Sequence, residues 1–305
     1  MHRILDISEA PARLRIEHGC LCVEASDAPG IRIPACEVAV VVLAHPQITC
    51  TQAVLSELAA AGGVLVICDG KRLPVGLQLP LQSHYVQGER FLAQARAKLP
   101  LRKRLWQEIV QAKIRLQGSV LMQLRGTDAG LTALARTVQS GDPSNVEAQA
   151  ARRYWQHLFP GVDFHRDRDA PNQNQLLNYG YAVLRAIAAR AACAAGLHPS
   201  LGVHHRNRYN PFCLADDIME PFRPAIDTIV AQMVEERGTD APLAYDSRRR
   251  LLDAVCGHWR VNEESRSLFE ANEMLASSLV ENFLGPRRRL RLPALLEPSR
   301  DASPA

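Results

Sequence analysis

The sequence has no CxxC pair, no GxGxxG or GxxxxGK[ST] loop, and no uninterrupted apolar run of the length of about 18 residues that a membrane span needs. The eight cysteines are scattered, with only Cys20 and Cys22 close together, so they read as reduced and mostly buried thiols, not as a zinc site or a disulfide framework. Without a glycine-rich phosphate loop, the Gly62-Gly63 and Asp69-Gly70 turns do not make a nucleotide site. Aromatic residues are only 5 % of the chain, and the net charge is only +4, too small an excess to establish a nucleic-acid partner unless the cations cluster. The first ten residues carry acids and no apolar core, so no export signal is expected, and a cytoplasmic location is.

What is present is a soluble globular composition, 47 % hydrophobic and 22 % charged, in 305 residues, enough for two domains. We expect an α+β protein with a small β-rich domain over residues 1–80, serving as scaffold or dimerisation module. A larger all-α catalytic domain is expected over 81–297, then a disordered tail over 298–305. The runs RILDI, ARLRIEH, CLCVEA, VAVVVLA and VLVICD suit strands, and one helix from about Thr51 to Ala61 interrupts them. After Pro80 the periodicity is helical. Leu101 to Leu124 places Leu105, Ile109, Ile114 and Leu121 at apolar spacing, with Arg102, Lys103, Arg104, Lys113 and Arg115 on other faces. Those cations read as a solvated face or a phosphate track. More helix is expected up to about Leu284.

Gly202 to Arg223, GVHHRNRYNPFCLADDIMEPFR, organises the rest. Pro211 fits at or before a helix start, so Cys213 to Phe222 can be helical, with Leu214, Ile218 and Phe222 toward a core and His204 and His205 on the preceding loop. Asp216, Asp217 and Glu220 would then crowd one face. Three close acids repel one another unless a cation, a proton or solvent relieves them. Arg206, Arg208 and Arg223 beside them add phosphate-binding groups, the mixture that phosphodiester chemistry requires. A solvated helix face with an aspartate cap is the plainer reading of the same acids.

In GDPSNVEAQAARRYWQH, Asp142 and Pro143 suit a helix start, and Ser144 with Glu147 fits a capping box, which would make Glu147 only a terminus tie. Arg248 to Arg250 and Arg287, Arg288, Arg289 and Arg291 are the sharpest basic clusters and suit contacts to a nucleic-acid backbone.

The segments HPQITCTQAVLSEL, VLVICDGKRLPVGL, NVEAQAARRYW, LLNYGYAVLRA and GVHHRNRYNPFCLADDIMEPFRP occur in the order seen in a known family. Together they resemble the CRISPR-associated integrase, the first CRISPR-associated protein, most of all its type II form. The resemblance implies a divalent metal, Mg²⁺ or Mn²⁺, held by Glu147, His205 and Glu220, with Asp217 orienting ligands and Tyr179 nearby. His205, not His204, stands three residues after Gly202 and takes the family's histidine position. The resemblance further implies insertion of spacer DNA into a repeat array by attack of a 3′-hydroxyl. A homodimer acting on double-stranded DNA is implied too, with two dimers bridged by a dimer of the second CRISPR-associated protein; from the basic clusters themselves, Arg206, Arg208, Arg223, Arg248, Arg287, Arg288 and Arg289 are expected as DNA contacts.

Two rival readings stand beside it. One is a metal-centre hydrolase or oxygenase acting on a small molecule, which would have no use for three arginine clusters. The other is a non-catalytic DNA-binding scaffold.

Overall fold

The computed structural model describes residues 3–26, 29–70, 72, 74–80, 82–161, 164–167, 170, 172–239, 241–286, 288–294 and 296–298. The chain starts with β1 (Arg3–Ile7), β2 (Ala12–Glu17), β3 (Cys20–Ala25), β4 (Ile31–Pro34), β5 (Val38–Leu43) and β6 (Ile48–Cys50). Helix α1 (Gln52–Ala60) and strands β7 (Val64–Cys68) and β8 (Pro74–Gln78) complete this part. One sheet runs β1-β5-β7-β8, parallel except for β8, and a second runs β4-β3-β2-β6.

The VAVVVL run of β5 is apolar throughout because both of its faces are covered. Val40 and Val42, with Val64 and Val66, join the large core formed with the helices. Val38 and Val41, with Leu65, face Leu14, Leu21, Val54 and Leu58 of the second sheet and α1. The alternation of side chains along a strand thus welds the two sheets to each other and to the helical part.

The helical part comprises α2 (Gln87–Ala95), α3 (Leu99–Arg125), α4 (Leu131–Arg136), α5 (Val146–Leu158), α6 (Gln173–Ala194), α7 (Cys213–Met219), α8 (Arg223–Arg237), α9 (Tyr245–Cys256) and α10 (Leu268–Leu284). A single 3₁₀ turn, Glu220–Phe222, joins α7 to α8. Helix α3 spans 27 residues, about 40 Å at 1.5 Å per residue, and is surrounded by α4, α5, α8 and the 3₁₀ turn. Leu105, Ile109, Ile114 and Leu121 are all fully buried, as their spacing implies. Helices α6 and α8 approach so closely that a Cβ on Gly180 would lie 2.4 Å from Ile226 Cγ2, which explains a glycine inside a helix.

Three expectations need correction. The C-terminal part is mostly helical, not all-α. It carries β9 (His258–Val261), β10 (Glu264–Ser267) and β11 (Leu296–Pro298), paired antiparallel in the order β10-β9-β11. Pro298 therefore ends a strand, while 299–305 lie outside the described residues. The helix read from Asp142 starts later, at Val146. The Asp142 carboxylate caps it from outside by accepting the Val146 and Glu147 amides at 2.9 and 3.0 Å.

Candidate active site

Three segments distant in sequence meet at Lys113, which α3 presents between buried neighbours Ala112 and Ile114. Glu147, in the first turn of α5, places Oε1 at 2.6 Å from Lys113 Nζ. Glu220, in the 3₁₀ turn, places Oε2 at 2.6 Å from the same nitrogen. The capping-box role of Glu147 is thereby excluded: its side chain hydrogen-bonds Lys113. Arg223, one turn on, donates Nε to Glu220 Oε1 at 3.0 Å and lies over the Tyr181 ring at 4.5 Å. Burial disfavours a charged Glu220, but Arg223 and Lys113 outweigh it and hold the carboxyl down at about 2. Burial likewise works against the Lys113 charge, and the two glutamates overcome it, raising its pKa.

Neither the solvated face nor the phosphate track expected of the α3 cations is what the structure shows at two of them. Lys113 lies between the acids, and Arg104 is buried against Glu108, Asn282 and the Arg288 carbonyl.

His205 reaches the site on a loop whose shape is fixed by Asp217 of α7. The fully buried Asp217 carboxylate accepts the consecutive amides of Val203, His204 and His205, and its Oδ1 lies 2.7 Å from His205 Nδ1. A carboxylate only accepts, so Nδ1 is the protonated nitrogen and Nε2 is left with its lone pair free to ligate a metal ion. The hydrogen bond to Asp217, against the effect of burial, raises the pKa of His205, and the charge of Glu220 adds to it. Arg102 clamps the loop from the α3 side through the Gly202 and Val203 carbonyls. His204 instead stacks on Trp106, with centroids 4.2 Å apart and planes 6° from parallel. Gly202 is required where it stands, because a Cβ there would lie 2.5 Å from His205 O and 2.9 Å from Asp217 Oδ2.

The acids of the DDxxE run do not share one cation. Asp216 pairs with Arg185 Nε at 2.6 Å and Asn210 Nδ2 at 2.7 Å, Asp217 holds the histidine loop, and Glu220 turns to Lys113 and Arg223. Among the described residues no three His, Cys, Asp or Glu side chains converge as a closed metal nest. The donors nevertheless suit a hard divalent ion. Two carboxylates from separate chain segments, Glu147 and the buried Glu220, face a single cation at 2.6 Å each.

The other expected site residues divide. Arg206 and Arg208 are exposed beside the histidine loop, with Arg208 over the Tyr209 ring at 4.6 Å. Arg288 and Arg289 are exposed and line a cleft with Arg104 and Arg115. Arg287 lies outside the described residues. Arg223 is committed to Glu220 and Tyr181. Arg248 is fully buried, held by Asp6, Ser8, Glu9 and the Leu243 carbonyl, and so is no DNA contact. Tyr179 is also fully buried, with Asp6 and Arg248 as its charged neighbours, and burial raises its pKa. Two residues along α6, on the opposite face, Tyr181 is the tyrosine that meets Arg223.

Sequence reasoning missed Lys113 as a site residue and also a buried polar knot behind the site. Asp227 of α8 accepts Tyr154 Oη at 3.0 Å and the Tyr181 hydroxyl. Burial, against the two tyrosine hydrogen bonds, pushes the Asp227 carboxyl up to about 7.

A family model described as CRISPR associated protein Cas1 matches residues 5–252. The chain is 37 % identical over 270 residues to the CRISPR-associated endonuclease Cas1 of Neisseria meningitidis, covering 87 % of each. Among solved structures, it superposes with a TM-score of 0.74 on a casposase bound to integration product, at 16 % identity, covering 92 % of this chain and 90 % of that one. A chain of a Cas6-RT-Cas1–Cas2 complex is matched with a TM-score of 0.72 at 19 % identity, over 92 % of this chain and 35 % of that one. These two likenesses concern the fold.

Proposed function

This chain belongs to the Cas1 family of CRISPR-associated endonucleases, and we propose that it is a metal-dependent DNA endonuclease and integrase that inserts spacer DNA into a CRISPR repeat array. The observation that carries this reading is the meeting of Glu147 and Glu220 on one cation, each at 2.6 Å, beside an imidazole whose Nδ1 is taken by Asp217. Glu147, Glu220 and His205 would hold the metal, Mg²⁺ in the cell and Mn²⁺ as the stronger activator in vitro. With no thiolate among them, these donors favour such ions over zinc. When bound, such an ion polarises a phosphodiester and lowers the pKa of the attacking hydroxyl.

The protein's own residues supply position and charge. Asp217 fixes the ring and tautomer of His205. Arg223, held over Tyr181, stands at the carboxylate end of the site and offsets negative charge that grows during phosphoryl transfer. The exposed Arg206, Arg208, Arg288 and Arg289 would neutralise DNA phosphates. With a spacer 3′-hydroxyl as nucleophile, a new phosphodiester forms and the repeat strand's own 3′-hydroxyl leaves. Water as nucleophile gives cleavage.

The chain would act on double-stranded DNA as a homodimer, in the cytoplasm. Two dimers would be bridged by a dimer of the second CRISPR-associated protein; the matched chain of a Cas6-RT-Cas1–Cas2 complex supports an association with that protein and no particular stoichiometry. No helix among the described residues is long and apolar enough to cross a membrane. The domain division at residue 80 and the scaffold role of the first part belong to the same proposal. The test is joining of a labelled short duplex to a repeat-bearing plasmid with Mn²⁺ or Mg²⁺, with and without the second protein. Joined product that disappears with chelator supports the reading, and an inert chain under every condition refutes it.

A further inference from the structure

Lys113 is one of five α3 cations that the sequence leaves on a solvated face or a phosphate track, yet its side chain is only 12 % exposed and its ammonium lies at 2.6 Å from both Glu147 Oε1 and Glu220 Oε2. Two carboxylates turned toward each other in a buried place repel unless a positive charge lies between them. Two cations are available there. Arg223 is fixed, through Nε to Glu220 Oε1 and by its seat on the Tyr181 ring. Lys113 differs. Among the described residues its side chain has ion pairs only with these two acids, at Glu147 Oε1 and Glu220 Oε2. It is a compact charge on a flexible four-carbon stem.

We propose that Lys113 is a resident counter-ion standing in the divalent-metal position, which keeps Glu147 and Glu220 together in the metal-free protein and must be displaced when metal binds. This rests on the reading above that these glutamates are metal ligands. Glu147 and Glu220 cannot coordinate an ion between them while Nζ lies within 2.6 Å of both. A divalent ion brings twice the charge and prevails once its concentration suffices, but its affinity is reduced by the cost of moving the ammonium. Lys113 therefore has opposite effects on two quantities. It stabilises the metal-free fold and weakens metal binding, whereas a merely structural salt bridge would support both.

The experiment compares wild type with Lys113→Met, which keeps the stem and removes the charge, in Mn²⁺ titrations followed by electron paramagnetic resonance and calorimetry, with thermal melts of the metal-free proteins. The expected result is a lower melting temperature for metal-free Lys113→Met together with Mn²⁺ binding at least about tenfold tighter, and a larger rise in melting temperature on Mn²⁺ addition. Equal or weaker Mn²⁺ binding by the variant overturns the inference and leaves the metal reading standing. Absence of Mn²⁺ binding by both proteins overturns the two together. Wild type supplies a second readout should the variant not fold. Labelling with an amine-acylating reagent and mass spectrometry should show Lys113 protected without metal and modified faster with Mn²⁺, and unchanged labelling refutes its displacement.

Discussion

His205 Nδ1 lies 2.7 Å from Asp217 Oδ1, and the same carboxylate gathers the three backbone amides of the loop that carries the ring. One buried side chain thus sets both the path of the loop and the nitrogen that His205 turns outward. Asp217→Asn replaces one acceptor oxygen with a donor that faces other donors. We expect Mn²⁺-dependent DNA cutting to fall about 10–100-fold, the usual effect of losing a partner behind a metal ligand, with the far-ultraviolet circular dichroism unchanged. Wild-type rates in Asp217→Asn would mean that His205 is oriented by something else.

Gly202 leaves no room for a side chain. A Cβ would meet His205 O at 2.5 Å, Asp217 Oδ2 at 2.9 Å and Cys213 Cβ at 3.0 Å. Gly202→Ala should cost about 1–3 kcal/mol, the range for overpacking, and should lower cutting as well, because what moves is the His205 loop. Urea unfolding and the cutting rate check the two halves of this statement.

Two arginines from basic clusters should behave oppositely. Arg248 is fully buried against Asp6 and Ser8, so Arg248→Met leaves a buried carboxylate unpaired and should destabilise the fold by about 3–5 kcal/mol. Exposed Arg206 should be neutral for stability. Arg206→Ala should weaken DNA binding across sequences and lower the salt slope by about one. Melting temperatures together with DNA titrations at several salt concentrations separate these outcomes.

Asp227 contributes to the pH dependence of stability. Its carboxyl is raised by burial from 3.8 to about 7 in the fold, so the folded state holds the proton more tightly than the unfolded one. Its contribution is fully present below the unfolded value and is lost as pH rises through about 7. Asp227→Asn, which cannot ionise, should show a smaller fall in melting temperature between pH 5 and pH 8 than wild type. An equal fall in both would place the titration elsewhere.

How much of this could be read from the chain depended on how local each signal was. The apolar runs of β1, β2, β3, β5 and β7 and the stripe of α3 are local patterns and could be read directly. The hairpin β9–β10 could not, since HWRVNEESRS holds only Trp259 and Val261 in alternation, and its left-handed Asn262 was the one turn signal. In α6, Tyr179 and Tyr181 sit two positions apart, so a helix sends them to opposite faces. Nothing local tells which one meets Arg223. Lys113 sits in a run of cations that resembles any solvated face, and its acids come from α5 and the 3₁₀ turn, distances that only the folded chain closes. The GxxH turn and the DxxE acids were readable because their residues are close in sequence, and Asp217 does unite them.

The central claim is that Glu147, Glu220 and His205 act as one metal-binding unit on DNA. The most direct measurement is single-turnover cutting of a labelled duplex with Mn²⁺ by wild type, Glu147→Gln, Glu220→Gln and His205→Ala, with DNA affinity measured in parallel. The account predicts that all three variants bind DNA like wild type and cut at least about a hundredfold more slowly, near 2.7 kcal/mol of lost transition-state stabilisation. Full cutting by Glu147→Gln or Glu220→Gln would contradict it and would reduce their meeting at Lys113 to a structural salt bridge.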